Sequence, residues 1–422
     1  MAVRPAPTQI PQDEPQPSGR TVRWANRNVV AMAATSFVSD LGHEMATAVL
    51  PAFTLALGLG AGALGTIEGV ADGVASFVKL GAGWLSDRRE DRKSIATAGY
   101  ALTGASKALF ALAHGWPLIL TGRTLAWFGR GIRGPVRDAM LADSVAPAYV
   151  GRAFGLHRAG DTLGAVAGPL AALLYLASFG AHDASYRTIF VLTLVPGLSS
   201  AALFGGLVAE PGERRVKKGL SLTGAHLGPR FHQFLVAVGV FGVADFAPTL
   251  LILRMTDVMA VGRGAAAVSL GVGFYTVRNA VYAAASYPIG ALSDRMSRGA
   301  LLTIGYLLMV FVALGAAVPH RALWFIMAVF VVSGLVAAAQ DALEAAMAAD
   351  LLPQPLRGTG YGALAAVNGV GDLLSSVMLG VLWSAGSARL AFGVSAALAA
   401  AGTLQMLRFV RARREEPGEA GK

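Results

Sequence analysis

Two carboxylates, Asp40 and Glu44, stand four residues apart inside the otherwise apolar stretch around SFVSDLGHEM. At about 3.6 residues per turn they share one helix face, one turn apart. Like charges that close disfavour joint ionisation, a pairing suited to taking up and releasing a proton. His43 is their neighbour in sequence but points about 100° away from Glu44 round the helix. Glu68, Asp72 and Lys79 follow at spacings that again put them on one face, a ladder of charge along a single helix. Arg123 lies deep in the run LTGRTLAWFGRG; Arg130, Arg133, Arg137 and Asp138 come after it, and the later arginines can snorkel toward an interface. Further along, ionisable or amide side chains interrupt other apolar runs: His157, Arg158 and Asp161; Asp245; Arg278 and Asn279; Gln340, Asp341 and Glu344; Asn368 and Asp372. These types handle charge and protons. The motifs of bond-breaking chemistry do not stand out: no H-E-x-x-H zinc pair, no G-x-S-x-G elbow, no G-x-x-x-x-G-K-[ST] phosphate loop. With no cysteine there are no thiolate metal sites, disulfides or cysteine nucleophiles. Neither an enzyme nor a cofactor or metal is expected.

The elements that must carry these residues are membrane helices. Of the 422 residues 55% are hydrophobic and only 14% charged, with mean hydropathy +0.56; soluble domains carry about 25% charged residues. An ionisable group at the centre of a bilayer helix costs about 2.5–3.5 kcal/mol on insertion scales, so each has a purpose. Each span needs roughly 20 apolar residues. The chain divides into twelve: 29–57, 62–86, 94–114, 117–142, 153–177, 188–208, 233–254, 265–292, 299–318, 321–350, 359–384 and 388–409. The 52 glycines, with abundant alanine, suit close helix packing in lipid. Residues 1–28 are polar and Pro-rich, a disordered tail without the apolar core of a signal peptide. The longest polar break, within 210–232, divides a bundle at 29–209 from one at 233–410, with a tail at 411–422. With both termini placed in the cytoplasm, about 22 basic residues fall on that side and about four (Arg187, Arg263, Arg321, Arg389) on the other. The formal charge of +10 therefore reads as membrane topology and not as nucleic-acid binding.

The strongest internal feature is a repeat. GWLSDRREDRK follows the second span and GALSDRMSRG the eighth, both reading G-x-L-S-D-R, nearly half the chain apart. Duplicated halves suit a machine in which two bundles rock around a shared central site. These loops resemble the signature loop of the major facilitator superfamily, G-x-L-a-D-r-x-G-r-[RK], through Gly83, Leu85, Asp87, Arg88, Arg92 and Lys93, and again through Gly290, Leu292, Asp294, Arg295 and Arg298. Glu90 replaces the second glycine of the pattern. Arg123 stands where the family often has a membrane-embedded arginine. Gly164, Gly168 and Pro169 resemble the G-x-x-x-G-P stretch associated with antiport exporters, with Leu170 and Ala171 in place of its trailing glycines. SFVSDLGHEM, GTIEGVADGVASFVKL and GRAFGLHRAGDTLGAVAGP are together similar to a branch of uncharacterised bacterial facilitators.

The resemblance implies an all-α membrane protein of twelve transmembrane helices in two pseudo-symmetric six-helix bundles, sitting in the cytoplasmic membrane and working as a monomer. It implies a secondary transporter of a small organic solute, coupled to protons and exporting by antiport; uptake by symport, or a sensor that does not transport, are the alternatives. In that frame the first and fourth helices line the cavity, so Asp40, Glu44 and Arg123 are the expected coupling set, with Arg123 pairing with Asp40 or Glu44. The seventh and tenth helices offer Asp245, Gln340 and Asp341 to substrate, joined by Arg278 and Asn368. Asp161, with His157 and Arg158, is expected to bridge the bundles. Asp87 would latch onto the start of the eleventh helix, near Gly358 to Tyr361, with Arg88 and Arg92 fixing it by charge-assisted bonds. Trp127, Phe246, Phe274 and Tyr275 could floor the cavity, although lipid-facing packing is the default.

Overall fold

The computed structural model describes residues 25–88, 91–146, 149–210, 227–264, 266–293, 295–353 and 356–415. Among them the chain forms α1 (Arg27–Ala56), α2 (Ala61–Arg88), α3 (Arg92–Ala105), α4 (Ala108–Ala111), α5 (Trp116–Asp143), α6 (Val150–Phe179), α7 (Asp183–Leu192) and α8 (Leu194–Leu207). The second half contains α9 (Pro229–Gly242), α10 (Pro248–Arg263), α11 (Ala266–Ser293), α12 (Arg298–Ala317), α13 (Leu323–Leu351), α14 (Arg357–Ala385) and α15 (Ala388–Glu415). Three pairs, α3–α4, α7–α8 and α9–α10, are broken spans, so these helices make twelve crossings. Most of the 1–28 and 411–422 tails and of the 210–232 linker lie outside the described residues, although α15 continues past 410 to Glu415.

Each half repeats one packing scheme. In the first, α1 packs on α6, α2 on α5 and α3 on α8; in the second, α9 packs on α14, α11 on α13 and α12 on α15. The symmetry extends to the helix ends. Asp91 caps α3 and Ser297 caps α12, each accepting from the backbone N–H three residues on. Hydrogen bonds from Ser94, by side chain and backbone, hold the exposed Asp91 carboxyl below the usual carboxylate range. Arg92 at the start of α3 reaches Asp143 at the end of α5 at 2.8 Å, and Arg298 at the start of α12 reaches Asp350 at the end of α13 at 2.6 Å.

The halves meet along α2 with α14 and α6 with α11. Small residues permit this approach: a Cβ on Gly65 would run into the Ser376 carbonyl oxygen, and one on Gly69 would lie 2.8 Å from that of Leu373. Beyond them the Gly62 N–H donates to Ser384 Oγ at 2.7 Å, tying the halves together at the end remote from the start of α1. At that end α1 is buried without interruption from Met45 to Thr54 and packs on α10, buried from Thr249 to Thr256. Toward the opposite face, where α1 begins and α15 ends, Phe77, Lys79 and Tyr287 are exposed. The molecule is sealed at one end and open toward the face of its termini.

Large apolar side chains such as Leu174, Leu198, Phe311, Trp324 and Leu404 are exposed on the outside, as lipid contact requires. By length and composition alone, six helical stretches among the described residues qualify as spans: Val150–Phe179, Asp183–Leu207, Arg298–Ala317, Leu323–Leu351, Thr359–Ala385 and Ala388–Ala412. The others are broken, or carry the polar residues that face inward.

Candidate functional site

A cavity of about 490 Å³ lies between the halves, lined from α1, α2, α5 and α6 on one side and from the α9–α10 break, α11, α12, α13 and α14 on the other. The break explains why Asp245 reaches it. Gly242 and Pro248 bracket a non-helical stretch, and its freed backbone groups are taken up by serines: Ser375 Oγ donates to the Asp245 carbonyl at 2.7 Å, and the Ala247 N–H donates to Ser376 Oγ at 3.1 Å. Irregular backbone at membrane depth is tolerated where protein satisfies it, and such breaks mark cavities.

On the first half the charges are paired. Asp40, only 3% exposed, accepts from both terminal nitrogens of Arg130 at 3.0 Å, a bidentate clamp, with Arg133 at 3.8 Å. Arg123, equally buried, donates through Nε to Glu68 Oε2 at 3.0 Å, with Nη2 at 2.9 Å from the same oxygen, and through Nη1 to Thr47 Oγ1 at 3.0 Å. Trp127 sits between the two arginines, its ring centroid 5.4 Å from the Arg123 guanidinium carbon and 5.5 Å from that of Arg130. Arg123 thus does not pair with Asp40 or Glu44. Packing of α5 on α2 sets it level with Glu68, and the partner of Asp40 is Arg130, two turns further along α5. Glu68 therefore belongs to a pair between helices, and the exposed Lys79 is no part of it.

The second half holds its carboxyls differently. Gln340 Nε2 donates to Asp245 Oδ2 at 2.7 Å; Tyr306 and Asn368 each donate to a different oxygen of Glu344 at 2.8 Å; Tyr282 donates to Asp341 Oδ2 at 2.5 Å. Arg278 donates to Ser333 Oγ at 3.2 Å and Asn279 Oδ1 at 3.0 Å, without a carboxylate. Among the described residues two hydrogen bonds cross between the halves at the cavity: Tyr275 OH to Glu44 Oε2 at 2.7 Å, and Asn279 Nδ2 to the Ala165 carbonyl at 2.9 Å.

The residues expected from the sequence to act together are thus gathered on one cavity: Asp40, Glu44 and Arg123 with Asp245, Arg278, Gln340, Asp341 and Asn368, and Asp161 as well. Asp161 pairs with Arg158 on its own helix at 3.3 Å, so the expected bridge between bundles is not formed here. Gly164 and Gly168 serve packing inside the first half: a Cβ on either would strike the backbone of α1, at Phe37 or Leu41. Pro169 is buried beside Gly168 in α6. Arg92 bonds Asp143 and Glu210 within its own half rather than a partner across the interface. Gly290 has open space around it and Arg295 is exposed. The side chains at Gly83, Asp87 and Arg88, and Asp294 itself, lie outside the described residues. Of the aromatics, Trp127, Phe246 and Tyr275 line the cavity instead of facing lipid, while Phe274 packs against Phe330.

Sequence reasoning missed the phenols of Tyr275, Tyr282 and Tyr306 as donors to carboxyls. A signal existed, since a tyrosine in an apolar helix must find a partner for its hydroxyl when buried. No group of three His, Asp or Glu side chains with the geometry to hold a metal ion occurs among the described residues.

Comparison with known proteins agrees with this architecture. The family model described as Major Facilitator Superfamily matches residues 32–277 and 234–422. An uncharacterised MFS-type transporter of Methanocaldococcus jannaschii is 26% identical over 377 residues, covering 89% of this chain and 93% of its own. A multidrug resistance protein B homolog of Mycobacterium tuberculosis is 29% identical over 175 residues, 42% of this chain and 28% of its own. Among solved structures, a bacterial homolog of the human lysosomal transporter Spinster, in an inward-facing and occupied conformation, superposes with a TM-score of 0.73 at 14% identity, covering 92% of this chain and 98% of that one. Family match, fold and central cavity lead to one conclusion: this chain belongs to the major facilitator superfamily and is a multi-pass membrane transporter.

Proposed function

We propose that the protein exports a small organic solute across the cytoplasmic membrane by alternating access, in exchange for protons, as a single chain with both termini inside. The observation that carries the coupling is the hydrogen bond from Tyr275 to Glu44, which joins the halves at the cavity. An ionised carboxylate accepts a phenol proton strongly, and a protonated one far less. Proton uptake on Glu44 therefore loosens a contact between halves and biases the opening of the sealed end. Asp40 stands one turn away on the same helix and is clamped by Arg130. Arg123 fixes Glu68 on the cavity wall. The orientation is supported by the excess of basic residues on the terminal side, and the inward-facing state of the Spinster homolog agrees with a cavity open to that side. Export is favoured by the G-x-x-x-G-P stretch at Gly164, Gly168 and Pro169 and by the resemblance to a multidrug resistance homolog.

The test uses proteoliposomes. With an acidic lumen, outward proton flow should drive solute accumulation; accumulation that demands the opposite gradient would make the protein a symporter. Glu44→Gln should abolish gradient-driven accumulation while sparing solute exchange, and unchanged driven flux removes Glu44 from coupling.

A further inference from the structure

We infer that the cavity selects an organic cation, a single positive group on an apolar body, seated against a carboxyl wall formed by α2, the α9–α10 break and α14. The inference rests on the transporter reading above and names the class of its substrate. Nine carboxyl side chains line the cavity, against four arginines. Three of the arginines are spent on Glu68, Asp40 and Asp161. Among the described residues six lining carboxyls, Glu44, Asp72, Asp245, Asp341, Glu344 and Asp372, have no ion-pair partner, and Arg278 is the one lining arginine not paired with a carboxylate. An entering cation meets more carboxyls than guanidiniums.

Two further observations point to a ligand at one part of the wall. Glu68, a cavity-lining residue, is 1% exposed and gives only Oε2 to Arg123; its buried Oε1 has no hydrogen-bond partner. The hydroxyl of Thr249, also 1% exposed and cavity-lining, has none either. Buried polar atoms are nearly always satisfied, so both call for a donor or acceptor brought by something that enters. Asp72 lies one turn from Glu68 on α2. Asp372 lies on the facing α14, between the contacts of Gly69 with Leu373 and of Gly369 with Ser76. A cation between Asp72 and Asp372 is held by both halves at once, as alternating access around a central site requires.

The occupant is organic rather than a metal ion. The carboxyls are spread around the wall and no three of them converge with metal-binding geometry among the described residues. Between them stand Phe241, Phe246, Met309, Val312 and Val336, which suit an apolar body.

The experiment is an equilibrium measurement on the purified full-length protein at uniform pH, with radiolabelled tetraphenylphosphonium as probe. Triphenylphosphine oxide and tetraphenylborate, neutral and anionic compounds of similar bulk, serve as competitors. Tetraphenylphosphonium should bind at least about tenfold tighter than either, and the double variant Asp72→Asn/Asp372→Asn should weaken it at least about tenfold. Asp245→Asn, which keeps the shape of the Gln340 contact, is the second variant should the double one fail to fold, and it too should weaken binding. Equal or tighter binding of tetraphenylborate, or undiminished phosphonium binding in a folded double variant, overturns the inference. Because no gradient is involved, absence of proton-driven flux would sink the coupling proposal alone, and a preference for the anion would sink this one alone.

Discussion

The two walls of the cavity solve the same problem in opposite ways. On the first half a buried carboxylate is answered by a guanidinium: Asp40 by Arg130, Glu68 by Arg123. On the second half it is answered by neutral donors: Asp245 by Gln340, Glu344 by Tyr306 and Asn368, Asp341 by Tyr282. Neutral donors orient a carboxyl without an ion pair, so the second wall still needs a proton or a cation, whereas on the first only Glu44 and Asp72 are left without a guanidinium. The first half is a fixed electrostatic frame except at Glu44 and Asp72, and the second is receptive throughout. The ion pairs at the helix ends are duplicated, but the electrostatics of the cavity walls are not.

The largest effect should come from unbalancing the frame. Arg123→Met leaves Glu68, 1% exposed, as a buried charge without its partner, and breaking such a pair costs about 3–5 kcal/mol. Thermal unfolding of the detergent-solubilised protein should fall accordingly, and Arg123→Met/Glu68→Met should recover most of it, because an apolar pair removes the uncompensated charge. If the single variant unfolds with the parent, the pair is not what balances this wall.

The frame was only partly legible in the sequence. Twelve spans could be read because lipid forces long apolar runs. The ring of charged residues was also legible, as ionisable groups in lipid are few and costly. Their pairing was not. Arg123 and Arg130 are seven residues apart on α5 and present nearly the same face, so which one meets Asp40 depends on how α5 slides along α1 and α2, a tertiary quantity. Likewise Gly164 and Gly168 could be seen as a motif, but only the packing of α6 on α1 shows that they bring two backbones together within one half.

A smaller effect should follow on the receptive wall. Glu344→Gln replaces a carboxyl that no cation answers and keeps a similar shape between Tyr306 and Asn368. Its stability should change by less than about 1 kcal/mol, the scale of one neutral hydrogen bond. Asp40→Asn, by contrast, strands Arg130 and should cost several times more in the same unfolding measurement. Equal losses in the two variants would erase the distinction between the walls.

The subtlest test sits where the walls touch. Tyr275→Phe deletes the hydroxyl that Glu44 accepts and nothing else, so the expected loss is about 1 kcal/mol of contact between halves. That is too little to unfold the protein but enough to shift a two-state equilibrium about fivefold. Because the chain contains no cysteine, a single reporter such as Leu251→Cys, buried on the sealed side of the cavity, reads that shift directly. Its labelling from the sealed face by a membrane-impermeant maleimide should quicken about fivefold when Tyr275→Phe is added. In the parent reporter, raising the proton concentration should have the same effect, since protonating Glu44 and deleting the phenol weaken one bond from its two ends. In the Tyr275→Phe background that proton response should shrink. A response of undiminished size would mean that protons act on the receptive wall alone, and that the contact between the halves only follows.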